Sequence, residues 1–343
     1  MDAVLSLDWI KMDSMVRAHF PSVMRNAFAL TLLCLSAVCA LAQSFPSKPI
    51  RIVEPAGPGS AVDTAVRDLV PELSRLLGQQ VIIDNKPGAN GLIGAKEVVR
   101  APADGYTLFH GNINSALNEL SASSNNNCCK LGENLIPVSK LFSSPLVLVV
   151  NPSVGAKTLK EFLAYASAHP DQLTYASAGG GSITQLLGEL VKTTAGVSLK
   201  EIPYKAIGAE LPDLLGGHVS AAYLAPVVVA QLIKSGKLNA LGVAAGKRVA
   251  IISQVPTLAE AGLPNVEASG WNGIFVPQGT PASVVEFLHD QFSKALLSPQ
   301  AKLHGEEMGY EYGSTNPKEF GDFIKSELIK WSKVAKDAHI VME

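Results

Sequence analysis

A Gly/Ser-rich turn occurs twice in this chain, each time after a β-like run and before a helix-like one. The copies are Glu54-Pro-Ala-Gly-Pro-Gly-Ser-Ala-Val-Asp63 and Ser177-Ala-Gly-Gly-Gly-Ser-Ile-Thr184. The first follows Ile50 to Val53, the second Leu173 to Ala176. Such a turn gathers backbone N–H groups at a helix N-terminus, where they favour an anion. Two facing copies are suited to hold one small anion between them.

The alternation of periods around the turns predicts an α/β protein. After the strand at Ile50, apolar residues at Val66, Leu69, Val70, Leu73 and Leu77 predict a helix from Asp63 to Leu77, stopped by Gly78. A strand at Val81 to Asp84, a helix at Gly91 to Val99 and a strand at Tyr106 to His110 complete a βαβαβ series, the pattern of a doubly wound parallel sheet. Strands at Val138 to Phe142 and Leu146 to Val150 lead into a second series. It comprises helices at 159–168, 185–195 and 209–215 and strands at 174–176, 199–202, 221–224 and 240–244. Each glycine turn thus opens its own α/β unit at a strand carboxyl end, where open sheets bind ligands.

Residues 1–42 read as an export leader. Arg17 and Arg25 precede the apolar run Ala27 to Ala40, and Ala40-Leu-Ala42 is a small-residue cleavage site before Gln43. Pro46 soon afterwards disfavours the alternative, a membrane anchor. Either Met15 or Met24 as the start gives a leader of ordinary length. Its removal takes Lys11, Arg17 and Arg25 together with Asp2, Asp8 and Asp13, so the formal charge of −2 is unchanged. Without a global basic field the chain offers nothing to nucleic acid, and any anion site must be local.

Of four cysteines, only the adjacent Cys128 and Cys129 survive cleavage. Adjacent cysteines close only a strained ring, so two reduced thiols are expected rather than a redox switch. No Cys-x-x-Cys and no clustered histidines support a metal, and no cofactor is expected. Gly57-Pro-Gly59 lacks the third glycine of a dinucleotide fingerprint, and Gly242 to Lys247 is one residue short of a phosphate loop. Gly180-Gly-Ser182-Ile-Thr184 resembles a nucleophile elbow until Thr184, where glycine is required. His110, His169, His218, His289, His304 and His339 stand in unlike contexts, and none is singled out as a base. A hydrolase on this chain is disfavoured.

Many ordered motifs carry a family resemblance along nearly the whole chain after the leader. Phe45-Pro-Ser-Lys-Pro-Ile-Arg51, Asp84-Asn-Lys-Pro-Gly-Ala-Asn-Gly-Leu-Ile-Gly-Ala95, Pro102-Ala-Asp-Gly-Tyr-Thr-Leu108 and Tyr175-Ala-Ser-Ala-Gly179 are four of them. Pro203-Tyr-Lys205, Asp213-Leu-Leu-Gly-Gly217, Ser235-Gly-Lys-Leu238, Val255-Pro-Thr-Leu-Ala-Glu-Ala-Gly-Leu-Pro264 and Pro277-Gln-Gly-Thr-Pro281 follow. Together they resemble the Bug-type extracytoplasmic receptors of tripartite tricarboxylate transporters. The resemblance implies a type II periplasmic binding protein fold: two doubly wound α/β lobes, joined by two crossing segments, that close over a small carboxylate. Carried onto this chain, it implies lobe 1 from 43–143 and 270–343, lobe 2 from 144–269, and crossings near Phe142 to Pro145 and Ser269 to Gly273. Helices at Ser283 to Leu296 and Pro317 to Val334 would return to lobe 1.

On the same resemblance, Gly59, Ser60 and Ala61 supply one set of ligand contacts, and Ser177, Gly179, Gly181 and Ser182 the other. Asp63 is expected to cap or orient its turn. Tyr204, Tyr223 and Trp271 are candidate packing residues, and Asn90 and Asn112 candidate readers of the distal end of the ligand. Leu224 stands where many relatives place a carboxylate that pairs with an amino group, which disfavours an amino acid and favours a mono- or dicarboxylate. Glu54 either points into the cleft, opposing a carboxylate unless protonated or matched by a ligand donor, or faces away from it. The partners implied are membrane transporter subunits or a sensor, and the alternative ligand is uncharged or an amide.

Overall fold

The computed structural model describes residues 45–120, 129–205 and 209–340, so the expected leader and Cys128 lie outside the described residues. Residues 48–343 form one compact unit.

The first lobe opens with β1 (Ile50–Glu54), α1 (Ala61–Leu77), β2 (Val81–Asn85), α2 (Leu92–Val99), β3 (Thr107–Asn112), α3 (Ile113–Leu117) and β4 (Leu135–Pro145). Ile50, Ile52 and Val53 are all buried, as a strand with helices on both faces requires. The α1 stripe of Val66, Leu69, Leu73 and Leu77 is buried in turn, and Gly78 ends the helix at φ 64°. The second lobe contains β5 (Val147–Val150), α4 (Leu159–Ala168), β6 (Thr174–Ser177), α5 (Ile183–Ala195), β7 (Lys200–Pro203), α6 (Leu211–Gly216), β8 (Ala221–Leu224), α7 (Pro226–Lys234) and β9 (Asn239–Val243). The chain then returns through β10 (Ser269–Pro277), α8 (Ala282–Leu296), α9 (Pro299–Met308), β11 (Glu311–Tyr312) and α10 (Pro317–Asp337).

These strands make two sheets, one of six strands in the order β11-β4-β10-β3-β1-β2 and one of five in the order β7-β6-β8-β5-β9. In the first, β1 is parallel to β2 and β3, while β10 runs antiparallel to β3 and β4. The chain passes from one sheet to the other at Leu146 and comes back at Ser269, which pairs with Pro145. Both connections are therefore neighbouring strands of one ribbon. That pairing explains why β4 extends beyond the expected Val138 to Phe142: its register with β10 runs from Leu135 to Pro145.

Helix α10 packs on β4 and also reaches α5 of the second lobe. Gly188 allows α5 to lie close on β6, since a Cβ there would sit 2.2 Å from the Tyr175 ring. The Tyr175 hydroxyl donates to Glu189 at 2.7 Å, which ties the same helix to the same strand.

Candidate functional site

The two glycine turns are built on one plan. Ser60 caps α1 by accepting the Asp63 amide at 3.3 Å, and Ser182 caps α5 by accepting the Gln185 amide at 3.3 Å. In each, the side chain of the residue three beyond the cap reaches back past the serine to the preceding glycine. Gly59 N–H donates to Asp63 Oδ2 at 2.8 Å, and Gly181 N–H donates to Gln185 Oε1 at 2.8 Å. Gly59 at φ 77° and Gly181 at φ 72° adopt the left-handed backbone that turns these N–H groups inward.

The residue that holds each turn is itself held. Asp63 is fully buried and also accepts from Arg67 Nε and Asn85 Nδ2, each at 2.8 Å. Burial alone would raise its pKa, but the bonds from Arg67, Asn85 and Gly59 outweigh burial and hold the carboxyl below its ordinary range. In the second turn Glu201 plays the supporting part, accepting from Ser177 Oγ and, at 3.0 Å, from Gln185 Nε2. Asp63 thus orients its turn, and Glu201 and Gln185, which lie on different elements, do the same for the other.

This internal bonding narrows what the turns offer. Ser60 N–H donates to Gly57 O at 3.2 Å, Gly179 N–H to Ser177 Oγ at 3.1 Å, and Ser182 N–H to Gly179 O at 3.2 Å. With Gly59 and Gly181 also committed, amides expected to face a ligand are used within the turns. The Ala61 amide, at the first position of α1, has no intrahelical acceptor by virtue of its place. The Ser60 and Ser182 hydroxyls both accept the capping bonds; that of Ser60 retains a hydrogen to donate, while that of Ser182 also shares a hydrogen bond with Thr184 Oγ1 at 3.2 Å.

The two turns are joined through α3. Gly91 and Pro55 come together with Ser115, since a Cβ on Gly91 would lie 2.5 Å from Ser115 Oγ and 3.2 Å from Pro55 Cβ. The next residue back, Asn114, accepts the Ile183 amide at the start of α5 through Oδ1 at 3.1 Å. Asn112 caps α3 by accepting the Ser115 amide at 3.1 Å. Asn90 is exposed, at φ 50°, and its carbonyl accepts from Asn118 at 3.1 Å.

The remaining expected residues are placed otherwise. Leu224 is wholly buried in the second-lobe core, opposite Val147. Trp271 is also wholly buried, edge-on to Phe320 and Phe323 of α10 with centroids 5.6 and 6.0 Å away. Strand alternation directs both side chains into packing layers. Tyr223 is buried in the core cluster and meets Tyr175 edge-on at 6.3 Å. Tyr204 abuts the second turn, donating its amide to Ser177 O at 2.8 Å and its hydroxyl to Asp213 at 2.8 Å. Burial and the Asp213 carboxylate push its pKa up to about 12.

Glu54 neither stands free in a cleft nor faces solvent. It is fully buried under the first turn, accepts the Ala56 amide at 3.0 Å, and lies 2.6 Å from Nδ1 of the equally buried His110. Ser182 has Gln185 and Thr184 as neighbours rather than a base, so the nucleophile-elbow likeness has no chemistry behind it. Away from the turns, a cavity of about 450 Å³ opens beside the crossing strands, lined in part by Lys140, Lys247, Glu311 and Lys330. There burial lowers the pKa of Lys140, whose ammonium lies 4.8 Å from the Phe323 ring centre.

The profile described as tripartite tricarboxylate transporter family receptor matches residues 65–340 of this chain. Protein BugT of Bordetella pertussis is 33% identical over 296 residues, covering 86% of this chain and 91% of its own length. Among solved structures, an R. palustris protein with adipate is 31% identical, with a TM-score of 0.78 over 86% of this chain and 99% of that one. MatC from Rhodopseudomonas palustris, with bound malate, is 28% identical, with a TM-score of 0.74 over 84% and 99%.

Proposed function

The chain belongs to the tripartite tricarboxylate transporter receptor family, whose members are periplasmic binding proteins rather than enzymes, and from that premise we propose that it captures a small mono- or dicarboxylate without an amine. The observation that carries this reading is the pair of matched turns, one at a strand end of each sheet. Each has a serine-capped helix start and is braced from within by Asp63 or Gln185. Preorganised helix starts stabilise negative charge without a permanent cation, which suits a site that must release its cargo. The Ala61 amide and the Ser60 and Ser182 hydroxyls supply the donors, while Gly59, Gly179 and Gly181 shape the backbone that presents them. The relatives solved with adipate and malate support the same ligand chemistry.

Residues 43–143 with 270–343 form one lobe of this receptor and 144–269 the other. Closure over the ligand brings them together, and the closed surface is what transporter subunits or a sensor recognise. Residues 1–42 act as the export leader, cleaved after Ala42, in keeping with the alanines at 40 and 42. Among the described residues no helix is long and apolar enough to cross a membrane.

The test is thermal melting of refolded residues 43–343 against carboxylates, amino acids and neutral amides. A rise in melting temperature with a small carboxylate, abolished by Ser182→Ala or Gly59→Val, is expected. Stabilisation by neutral amides alone would replace the carboxylate by an uncharged ligand.

A further inference from the structure

The cavity of about 450 Å³ beside the crossing strands shares no residue with either glycine turn. One wall comes from β4, β11 and α10, the other from residues 244–247 and 267–269. On β4, simple alternation would set Lys140 on the face opposite Ser143 and Pro145. The register slip against β10 leaves Leu141 as an extra residue, so Lys140 joins the other two on the cavity side. On α10 the spacing of Phe323, Glu327 and Lys330 keeps all three on one helix face.

Three lysines and three glutamates line this space, and most of them answer one another. Lys247 Nζ lies 3.1 Å from Glu311 Oε1. Lys330 Nζ donates to the carbonyl of Glu267 at 2.7 Å and lies 3.9 Å from Glu327, which also accepts from Trp331 Nε1 at 3.1 Å. Lys140 is the exception. Among the described residues no carboxylate comes within 4.0 Å of its ammonium, which sits 4.8 Å from the centre of the Phe323 ring. Burial lowers its pKa, and the more distant Glu311 and Glu327 oppose that only in part. A half-buried ammonium without a hydrogen-bonded anion is costly. The Ser143 and Ser269 hydroxyls, which line the same space, have no hydrogen-bond partner among the described residues either.

The rest of the lining is largely apolar, from Pro145, Ala244, Ala245, Ala268 and the Phe323 ring. A ligand that satisfies both parts carries a carboxylate on an apolar body. A second negative charge would meet Glu267, Glu311 or Glu327, so one charge suits the site better than two. The volume falls within the range usual for small-molecule sites.

We propose that this cavity is a second ligand site, for an aromatic or branched monocarboxylate, with Lys140 and Ser143 holding the carboxylate while Phe323 and Pro145 pack the apolar body. An occupant touching both walls ties residues 244–247 and 267–269 to β4 and α10, so binding also raises the melting temperature.

Benzoate is the probe that tests it, with benzamide as the uncharged control. Residues 43–343 hold two tryptophans, Trp271 and Trp331. Trp271 meets Phe323 edge-on at 6.0 Å, and the Lys330 ammonium lies 4.7 Å from the Trp331 ring centre, so tryptophan fluorescence reads this cavity. Refolded residues 43–343 are expected to give a saturable response to millimolar benzoate and to bind benzamide at least tenfold more weakly. Lys140→Met, which keeps the stem without the charge, is expected to lose at least tenfold in benzoate affinity. Lys140→Arg, which keeps the cation, stays within a few-fold of the unaltered protein, and Ser182→Ala in the second turn leaves the titration unchanged. If Lys140→Met fails to refold, Ala245→Phe, which fills the cavity from its loop wall, is expected to show the same tenfold loss. No saturable response to benzoate overturns the proposal, as does unaltered affinity in Lys140→Met or Ala245→Phe. A response abolished by Ser182→Ala and kept by Lys140→Met puts benzoate in the cleft, which overturns the proposal and leaves the receptor reading intact.

Discussion

Asn114, on α3 of the first lobe, accepts the backbone hydrogen of Ile183, the first residue of α5 in the second lobe, at 3.1 Å. The bond joins the two lobes directly, and in the proposed two-lobe receptor it stabilises the arrangement in which they meet. Removing it in Asn114→Ala forfeits about 1 kcal/mol of closure. On the proposed closure over ligand, affinity is expected to fall about fivefold with little change in melting temperature. Isothermal titration checks this, and unchanged affinity would show that the bond takes no part in closure.

Asp63 should respond to pH in the direction set by its lowered pKa. A carboxyl depressed in the folded state contributes stability above its unfolded pKa and loses it as pH falls through the folded value. Asp63→Asn removes the charge that Arg67 and Gly59 N–H address. A loss of about 3 kcal/mol is expected at pH 7, shrinking as the pH is lowered and the unaltered protein becomes protonated too. Urea unfolding across pH decides the matter; a deficit that does not depend on pH would speak against the charge.

Glu119 titrates with the opposite sign. Burial, only partly offset by the Leu131 amide at 2.7 Å, pushes its pKa up to about 7. Its neutral form is the one the fold prefers, so the associated stability is present at low pH and lost as pH rises through about 7. Glu119→Gln keeps an acceptor for Leu131 and cannot ionise. It is expected to melt a few degrees above the unaltered protein at pH 8.5 and to match it near pH 4.5. Equal melting curves at both values would contradict this.

Gly188 is the point of closest approach between α5 and Tyr175. Gly188→Ala gains helix propensity but drives a methyl into a buried ring, and the clash dominates. A net loss of about 2 kcal/mol in chemical denaturation is expected. Displacing α5 also shifts the second turn, so ligand affinity should drop with it. A neutral or stabilising Gly188→Ala would mean that Tyr175 can move aside.

The parts of this molecule legible in the sequence are those determined locally. A strand, a glycine turn, a serine and an amphipathic helix lie in consecutive residues, so both turns and their caps could be read directly. Glu54 and His110 are far apart in sequence, and only the register of β1 with β3 makes them neighbours. Glu201 and Asn114 escape notice for the same reason, because each acts on a residue brought near by folding, whereas Gln185 reaches only four residues back to Gly181, as Asp63 does to Gly59. Leu224 was expected at the ligand from the family resemblance and Trp271 from its place in a crossing segment, whereas their packing partners, the second-lobe core and α10, come together only on folding. Helix α7 was missed because Val227-Val-Val229 is a β-branched run of the kind strands use. Pro226 at its first position and the packing of Val229 make it helical nonetheless. Two-residue β11 exists only by pairing with Ser143 and Phe142 of β4.

Strand β10 lies between β3 and β4, yet it follows the whole second sheet in the chain. A growing chain that stops short of Ser269 therefore holds every strand of one sheet and a gap in the middle of the other. The facing edges of β3 and β4 stay open throughout that interval, each a template for pairing with a neighbouring chain. Closure over so long a sequence separation is also slow. The hazard in making this protein falls late in synthesis, and it ends when residues 269–277 slot into place.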